Sequence, residues 1–469
     1  MSKILFLQNN WLEHLGPLYL SAFLKEKGID SYILITHSPQ KLVKKLNQLK
    51  PDLLAISLTS AGHSLVLNLL QKAKPDLKIP IVLGGPHPTF FPEVLAHPAV
   101  DFIIRGEAEQ SLYLLVKALQ EKEDIKNVPG LGYKENEQLK FNQIAPLIEN
   151  LDELPFPNRA LYFNYRFYRR LKMRRVITCR GCPYSCRYCY NAQLRELYQG
   201  LGKYLRQRSV ENVISELKSL VPITKTINIV DDSFGLNKNF REEFLERYPK
   251  EVGLPFIVNL RPEQIDFNLA KKLRRAGCYC AQVGIETGND ELREQLLGRQ
   301  IKKDQIRQAV QYLKQQGIKV LTYNMLGLPG ETIKQGFETI KLNQELNIDF
   351  PRFSLFQPYP GTEIAELLVQ KGMVKREELL KNLSPSYFHK SPLLSPEINA
   401  LSNLQKIYAL AIKLPKLEKI FKKLIQLKPN PVFDLIFLIS IALQYQKATN
   451  HTLPETFELG FRNLALYFE

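Results

Sequence analysis

The feature that most constrains the fold is a repeated alternation of short apolar segments with helical patterns along a chain of 469 residues. β-Branched apolar runs in the first 123 residues predict strands at 3–7, 31–35, 53–57, 80–84 and 101–104. A second series predicts strands near 174–178, 226–230, 256–260, 280–285, 319–326 and 352–357. Strands that alternate with helices form parallel sheets, so the sequence predicts an α/β protein.

The two strand series are separated by a segment without sustained periodicity. We therefore predict four regions: a doubly wound, flavodoxin-like parallel sheet at 1–123, a linker at 124–173, a partial (β/α)6 barrel at 174–363 and a helical tail at 364–469. The linker contains Leu154-Pro155-Phe156-Pro157, and proline disfavours helix in the residue before it.

The cysteines carry the strongest chemical signal. All six lie at or after Cys179, and three form the spacing Cys182-x3-Cys186-x2-Cys189 on a loop after a predicted strand. Such a loop can hold three corners of a four-iron, four-sulfur cluster and leave the fourth iron open. A zinc site and inert buried thiols are the alternatives, although zinc usually takes four ligands. The remaining Cys179, Cys278 and Cys280 lack ligand spacing and are predicted to act as small apolar residues.

With this loop the chain resembles the radical S-adenosylmethionine (SAM) superfamily through most of residues 174–363. The resemblance implies that the cluster cleaves SAM to a 5′-deoxyadenosyl radical. It also implies a set of SAM contacts, which by strand order are Tyr188 beside adenine, Asp231 and Asp232 near the methionyl amino group, Arg261 at the methionyl end, Glu286 at the ribose, and Met325 and Gly327 at adenine. Taken singly, each residue has an ordinary structural explanation, such as a helix N-cap for the aspartates.

The N-terminal region resembles the cobalamin-binding domain that precedes the radical domain in one large subclass. Residues implied as cobalamin contacts are Ser57, Gly84, Gly85, His87 and Gly106. The Asp-x-His-x2-Gly motif that supplies a lower cobalt ligand is absent. His14 lies in the first strand-to-helix loop, but its neighbours do not fit that motif, so we expect cobalamin without a protein histidine on cobalt.

This architecture implies cobalamin-dependent methylation of an unactivated carbon in a small molecule or lipid. In that mechanism a substrate radical takes a methyl group from methylcobalamin. Radical cyclisation or carbon-carbon coupling, as in tetrapyrrole or lipid chemistry, is the alternative, and a non-catalytic cobalamin or metal sensor is a weaker one. An RNA methylthiotransferase is disfavoured because no cysteine precedes Cys179 and the tail resembles no RNA-binding barrel.

Charge bears on partners and location. The net charge of +17 favours an anionic partner, and the sequence shows neither a secretion signal nor an apolar run of membrane-spanning length. We therefore expect a cytoplasmic enzyme that takes electrons from a one-electron reductant such as flavodoxin or ferredoxin. The tail alternates apolar residues with lysines at 406, 413, 416, 419, 422, 423 and 428, and leads into the apolar run 432–443. It is either a solvated helical lid or a peripheral membrane contact.

Overall fold

The computed structural model describes residues 2–381, 383–384, 386–393, 395–449 and 452–463. The chain folds into two compact units. The first contains Met1–Arg170 together with Leu197–Tyr204, and the second contains Leu171–Glu196 together with Leu205–Glu469. The boundaries of the four predicted regions remain predictions beside this division into two units.

The first unit is built on a seven-stranded sheet. Its strands are β1 Lys3–Gln8, β2 Asp30–Ile35, β3 Leu53–Ser57, β4 Ile81–Gly84, β5 Phe102–Ile104, β6 Leu131–Glu135 and β7 Gln138–Phe141. The order is β2-β1-β3-β4-β5-β6-β7, and the first five strands are parallel. The order 2-1-3-4-5 is that of flavodoxin-like sheets, so the predicted fold of this region is confirmed.

Helices cover both faces of this sheet, which is why its strands are apolar on both sides. They are α1 Leu15–Glu26, α2 Pro39–Leu49, α3 His63–Ala73, α4 Pro86–Phe90, α5 Glu109–Glu121 and α6 Arg166–Arg170. The start of α2 is set by Ser38, whose hydroxyl accepts a hydrogen bond from the Lys41 amide, and by Pro39 at the first helical position.

A hairpin of β6 and β7 lies inside the segment that the sequence predicted as a linker. It extends the sheet in antiparallel fashion from β5. Its two-residue turn places Asn136 and Glu137 at φ values of 48° and 61°. Two left-handed residues are what a tight hairpin turn needs, but glutamate is an unusual occupant. The hairpin was therefore missed because its turn lacks the usual glycine.

The second unit is built on a curled six-stranded parallel sheet. The strands of the unit are β8 Met173–Val176, β9 Cys179–Arg180, β10 Arg206–Gln207, β11 Thr226–Ile229, β12 Phe256–Leu260, β13 Cys278–Glu286, β14 Lys319–Leu326 and β15 Phe350–Leu355. The large sheet has the order β15-β14-β13-β12-β11-β8, while β9 and β10 form a separate antiparallel pair. Sequential parallel strands in this order form the predicted partial barrel, which is confirmed.

Helices follow the strands and loops of the partial barrel in chain order. They are α7 Asn191–Leu197, whose last residue belongs to the first unit, α8 Val210–Leu220, α9 Lys238–Glu251, α10 Phe267–Arg275, α11 Lys303–Gln315, α12 Ile333–Glu345, α13 Glu363–Gln370 and α14 Arg376–Lys381. Thr332 and Gln335 form a capping box at the start of α12. This reciprocal pair fixes the point where the chain leaves the loop after β14.

The C-terminal region is helical, as predicted. Its helices are α15 Ile398–Lys413, α16 Glu418–Leu424, α17 Pro431–Thr449 and α18 Leu453–Arg462, and the end of the predicted region, 464–469, lies outside the described residues. Leu401 and Leu404 of α15 pack against Phe337 and Phe353 of the barrel. No helix among the described residues is long and apolar enough to cross a membrane.

Candidate active site

The cysteine loop follows β8 and is held at both ends. Gly181 takes a φ of 93°, and the Cys189 amide donates to the Cys186 carbonyl at 3.0 Å. Cys182 is buried, while Cys186 and Cys189 are partly exposed. Burial raises the pKa of Cys182 to about 11, with Cys186 and Cys189 adding to the rise, and burial also raises the pKa of Cys189, with Cys186 adding to that rise. The three thiols therefore lie near one another, and an electron-poor metal is needed to hold them as thiolates.

Asp231 anchors the base of this loop. Its carboxylate is buried and accepts hydrogen bonds from the Thr178 amide at 2.6 Å, from the Cys179 amide at 3.3 Å and from the Thr178 hydroxyl. The next residue, Asp232, is exposed, and its carboxylate accepts a hydrogen bond from the Asn191 side-chain Nδ2 at 3.2 Å. The structure thus separates two residues that the sequence grouped together: Asp231 is committed to the loop, and Asp232 is the better candidate for a ligand contact.

Two donors point at the cysteine sulfurs. Arg261, which follows β12, donates from Nη1 to Cys186 Sγ at 3.2 Å, and Asn191 donates from Nδ2 to Cys189 Sγ at 3.5 Å. Arg261 is fixed by Glu263 at 2.5 Å and by stacking of its guanidinium 3.7 Å from the centroid of Tyr184. Hydrogen bonds to cluster sulfurs are a recognised way to tune a reduction potential. Asn191 and Tyr184 were not predicted, because no spacing rule singles them out.

The residues predicted beside adenine form one apolar group. Tyr188, Met325 and Leu328 pack in the same cluster with Leu297. Burial raises the pKa of the Tyr188 phenol well above its usual value, and the neighbouring Glu286 raises it further. Gly327 behaves differently: it has a φ of 75°, and a Cβ there would lie 2.9 Å from Ile398 of α15. The need for glycine at position 327 is thus explained by its close packing against the C-terminal region.

Glu286 combines backbone strain with a buried charge pair. It has a φ of 68°, which is costly for a residue with a Cβ, and its carboxylate lies 2.7 Å from Arg299 Nη1. A Cβ on Gly284 would lie 2.4 Å from Glu286 Oε1 and 2.9 Å from Arg299 Nη1. Gly284 therefore leaves the space that this ion pair occupies. Arg299 was not predicted from the sequence.

In the first unit, His87 and Gly85 follow β4. The His87 ring is buried, stacks on His63 with centroids 4.6 Å apart, and lies 3.2 Å from the Ser60 hydroxyl. Burial and the neighbouring His63 lower the pKa of His87 to about 3, so the ring is neutral. Gly85 has a φ of 89°, and a Cβ there would lie 3.0 Å from Ser57 Oγ. His87 thus shapes the loop from inside, and its predicted contact with cobalamin stays a prediction.

Gly106 follows β5 and is tied to the same loop. Its amide donates to Thr89 Oγ1 at 3.0 Å, and Thr89 Oγ1 donates to the Gly85 carbonyl at 2.8 Å. The Tyr198 hydroxyl would lie 2.2 Å from a Cβ on Gly106 and accepts from the Glu107 amide at 2.6 Å. Tyr198 follows the cysteine loop in sequence but belongs to the first unit.

A small cavity lies where the strand order reverses between β1 and β3. Its polar lining includes Asn9, Asn10, His14, Ser57 and Thr59. Open α/β sheets bind ligands at this switch point. Gly84, at the end of β4, pairs with the lining residue Ser57 of β3. His14 Nε2 lies 2.8 Å from Asn10 Oδ1 and is thus engaged within its own loop.

The residues present fit the implied cofactors. Three thiols on one loop, two of which receive N–H donors, suit an iron-sulfur cluster, and the apolar group of Tyr188 and Met325 suits adenine. Polar loop ends at the switch point of the first sheet suit the nucleotide tail of cobalamin. Among the described residues, no three His, Cys, Asp or Glu side chains are gathered around a single ion position.

Comparison with known proteins decides the family. The radical SAM superfamily matches residues 176–342, and the B12 binding domain matches residues 10–116. The uncharacterized methyltransferase PH0819 of Pyrococcus horikoshii is 31% identical over 373 residues, which cover 77% of this chain and 79% of that protein. This chain belongs to the radical SAM superfamily. It is an enzyme whose cofactors are a four-iron, four-sulfur cluster, SAM and cobalamin, as the sequence predicted.

Other relatives of this radical SAM enzyme differ in chemistry. The anaerobic magnesium-protoporphyrin IX monomethyl ester cyclase of Rubrivivax gelatinosus is 27% identical over 400 residues, covering 81% of this chain and 69% of that protein. The fold is that of the methyltransferase TsrM from Kitasatospora setae (TM-score 0.64, 19% identity, 79% and 76% of the two chains). It is also that of the cobalamin-dependent radical SAM enzyme OxsB (TM-score 0.69, 15% identity, 99% and 79%).

Proposed function

We propose that this radical SAM enzyme transfers a methyl group to an unactivated carbon of a small-molecule or lipid substrate. The observation that carries the proposal is the pairing of a complete cysteine loop with a B12 binding domain in a chain similar to PH0819 over more than three quarters of its length. When bound, the cluster and SAM supply one-electron chemistry that activates the substrate, and cobalamin supplies a methyl carrier.

The chain's own residues have distinct tasks in this proposal. Cys182, Cys186 and Cys189 hold the cluster, and Asp231 keeps their loop in register with the barrel through Thr178. Arg261 donates to a cluster sulfur and carries a positive charge for the methionyl carboxylate.

The remaining SAM contacts lie along the barrel strands. Tyr188 and Met325, which share an apolar cluster, would contact adenine, and the Glu286 carboxylate, paired with Arg299, would accept from a ribose hydroxyl. Asp232 and Gly327 complete the set. In the first unit, the loops that would receive cobalamin are shaped by Ser57, Gly84, Gly85, His87 and Gly106.

The products distinguish methyl transfer from cyclisation or coupling. Anaerobic reaction of the reconstituted enzyme with SAM, cobalamin, a flavodoxin reductant and candidate substrates should yield S-adenosylhomocysteine together with 5′-deoxyadenosine. Only methyl transfer makes the former. Formation of 5′-deoxyadenosine with a modified substrate but no S-adenosylhomocysteine would favour the cyclase chemistry that the Rubrivivax relative suggests.

We further propose that the C-terminal helices contact an anionic membrane surface. Four apolar residues of α17 are 45–63% exposed at helical spacing, and three of α18 are 46–80% exposed: Val432, Leu435, Ile439, Leu443, Leu453, Phe457 and Phe461. We call this set the C-terminal apolar face. An apolar patch of this kind on a soluble surface marks an interaction site.

Basic residues accompany this face. The lysines at 413, 416, 419, 422, 423 and 428 are exposed, whereas Lys406 is buried, pairs with Asp434 at 3.2 Å and donates to the Phe388 carbonyl. Lys406 is therefore a structural residue, which corrects the prediction of seven equivalent lysines. Each lysine near anionic lipid contributes about 1 kcal/mol, so the remaining six provide a reversible attachment.

Vesicle sedimentation tests this contact. The protein should bind vesicles containing phosphatidylserine, bind neutral vesicles less, and dissociate at high salt. Phe457→Ser combined with Phe461→Ser should reduce binding at least several-fold, while Phe267→Ser, at an exposed phenylalanine on α10, should leave it unchanged. Equal binding to both vesicle types, or none to either, would contradict the proposal.

A further inference from the structure

The inner face of the partial barrel is layered. Its floor is an apolar cluster in which Ala448 of α17 packs with five strand residues: Met173, Ile257, Cys280, Leu321 and Phe350. Two residues further along each strand, the side chains on the same face become polar. These side chains line a cavity of about 190 Å³ and are Arg175, Asn259, Gln282, Tyr323 and Arg352, joined by Asn228 and by Tyr445 of α17. We call this space the guanidinium cavity.

The guanidinium cavity is cationic. Two arginines line it, and no carboxylate does among the described lining residues. Burial raises the pKa of Tyr323, and both Arg352 and Arg175 oppose that rise, so both charges act at the same phenol. Arg352 has its guanidinium 6.0 Å from the ring centroid of Tyr445 and forms no ion pair with a described carboxylate. A partly buried cation without a counter-charge is costly, and an anionic ligand removes that cost.

The neutral polar groups of the cavity are largely engaged with one another. The Tyr323 hydroxyl donates to Gln282 Oε1, and Gln282 Nε2 donates to Asn228 Oδ1 at 3.4 Å. Asn259 Nδ2 donates to the Asp231 carbonyl at 2.9 Å, which leaves the buried Asn259 Oδ1 without a donor among the described residues. The cavity therefore offers guanidinium groups to an anion and one acceptor to a neighbouring hydroxyl or amine.

The cavity also has a defined place relative to the SAM-side residues. Asn259 lies two positions before Arg261 on the strand and loop of β12, and Tyr323 lies two positions before Met325 on β14. Because residues i and i+2 share a face, the cavity is one side-chain layer deeper in the barrel than the predicted SAM contacts.

We propose that the guanidinium cavity binds an anionic group of the substrate, a carboxylate or a phosphate, and so anchors it below SAM. This assignment rests on the proposed function, since it takes the barrel interior as the substrate side. A planar guanidinium binds carboxylate and phosphate through two parallel hydrogen bonds, which an ammonium does not. Neutral hydrocarbons without an acid group would then be poor substrates.

Calorimetry on the anaerobically reconstituted full-length enzyme tests the assignment without turnover. Hexanoate should bind to the wild-type enzyme, and hexanol, of similar size, should bind at least tenfold more weakly. Arg352→Gln should weaken hexanoate binding at least tenfold, and Arg352→Lys should restore it only in part. Arg307→Gln, on the exposed face of α11, is the matched control and should behave as the wild-type enzyme does. Inorganic phosphate as competitor shows whether the site also accepts phosphorylated groups.

Equal affinity for hexanoate in the wild-type enzyme and Arg352→Gln would overturn the assignment, as would the absence of binding by both hexanoate and inorganic phosphate. Thermal melting of each variant, followed by circular dichroism, identifies a substitution that prevents folding. If Arg352→Gln does not fold, the hexanoate affinity of Arg352→Lys is compared with that of the wild-type enzyme instead. Production of S-adenosylhomocysteine despite such a negative result would leave methyl transfer intact and remove only the anionic anchor.

Discussion

At the scale of single residues, positions that look equivalent in the sequence differ in their burial and in their hydrogen bonds. Asp231 and Asp232 are adjacent, but the first is buried under the cysteine loop and the second is exposed. Both residues follow β11, which ends at Ile229, and they differ in what their carboxylates contact: Thr178 and Cys179 for Asp231, Asn191 for Asp232. Motif resemblance places both near SAM, whereas the hydrogen bonds assign one to holding the loop.

Exchange of the two aspartates for asparagine should separate these roles. Asp231→Asn replaces an acceptor facing the Thr178 hydroxyl with a donor, at a cost of about 1–3 kcal/mol, and should lower iron content below four per chain. Asp232→Asn should keep its iron and weaken SAM binding instead. Iron analysis and SAM titration after anaerobic reconstitution measure both. Equal iron loss in the two variants would contradict the division.

The buried carboxyl group of Glu331 should make the stability of the protein depend on pH. Burial raises its pKa to about 8, even though the Leu328 and Gly327 amides donate to it. The folded pKa exceeds the unfolded value of about 4.3, so this group's contribution is complete below that value and is lost as the pH rises through 8. Glu331→Gln should remove that loss, which is on the order of 5 kcal/mol.

The measurement is the thermal midpoint of both proteins at pH 5, 7 and 9 under anaerobic conditions. The advantage of Glu331→Gln over the wild-type enzyme should grow with pH, because the other titrating groups cancel in the difference. A difference that stays constant from pH 5 to 9 would show that Glu331 titrates normally.

At the scale of elements, the regular parts of the fold were predictable and the exceptions have physical causes. The predicted strands at 53–57 and 319–326 coincide with β3 and β14, because short apolar runs mark both. The β6–β7 hairpin was missed for want of a turn signal. The burial of Lys406 was missed because its partner Asp434 lies on another helix, which local patterning cannot reveal.

Gly284 of β13 lies close to Arg299, so a methyl group added at Gly284 should lower the stability of the protein. Gly284→Ala places a Cβ against Glu286 Oε1 and Arg299 Nη1, and should destabilise the protein by about 1–3 kcal/mol while weakening SAM binding. Gly16→Ala near the start of α1 meets no atom within 4 Å and should be neutral or slightly stabilising. Denaturant unfolding and SAM titration of both variants provide the check. Equal stability of the two would mean that the ion pair moves aside freely.

At the scale of the whole molecule, two hydrophobic cores support two cofactor regions. One core packs the strands and helices of the first unit, and another packs the outer face of the partial barrel in the second. Separate cores stabilise their units separately, so a defect in one unit need not unfold the other. The exception in chain order is Leu197–Tyr204, which follows the cysteine loop but packs in the first unit.

Reciprocal variants should therefore lose one cofactor each. Alanine at Cys182, Cys186 and Cys189 should abolish the cluster and 5′-deoxyadenosine formation but leave uptake of hydroxocobalamin unchanged. Gly85→Ala, which forces a Cβ to within 3.1 Å of the Leu58 backbone at a positive φ, should reduce cobalamin uptake and keep about four irons per chain. Visible spectra and iron analysis of the same preparations report both cofactors. Loss of both cofactors in either variant would show that the two units load cofactors together, and retention of a full cluster in the triple cysteine variant would refute the assignment of the three ligands.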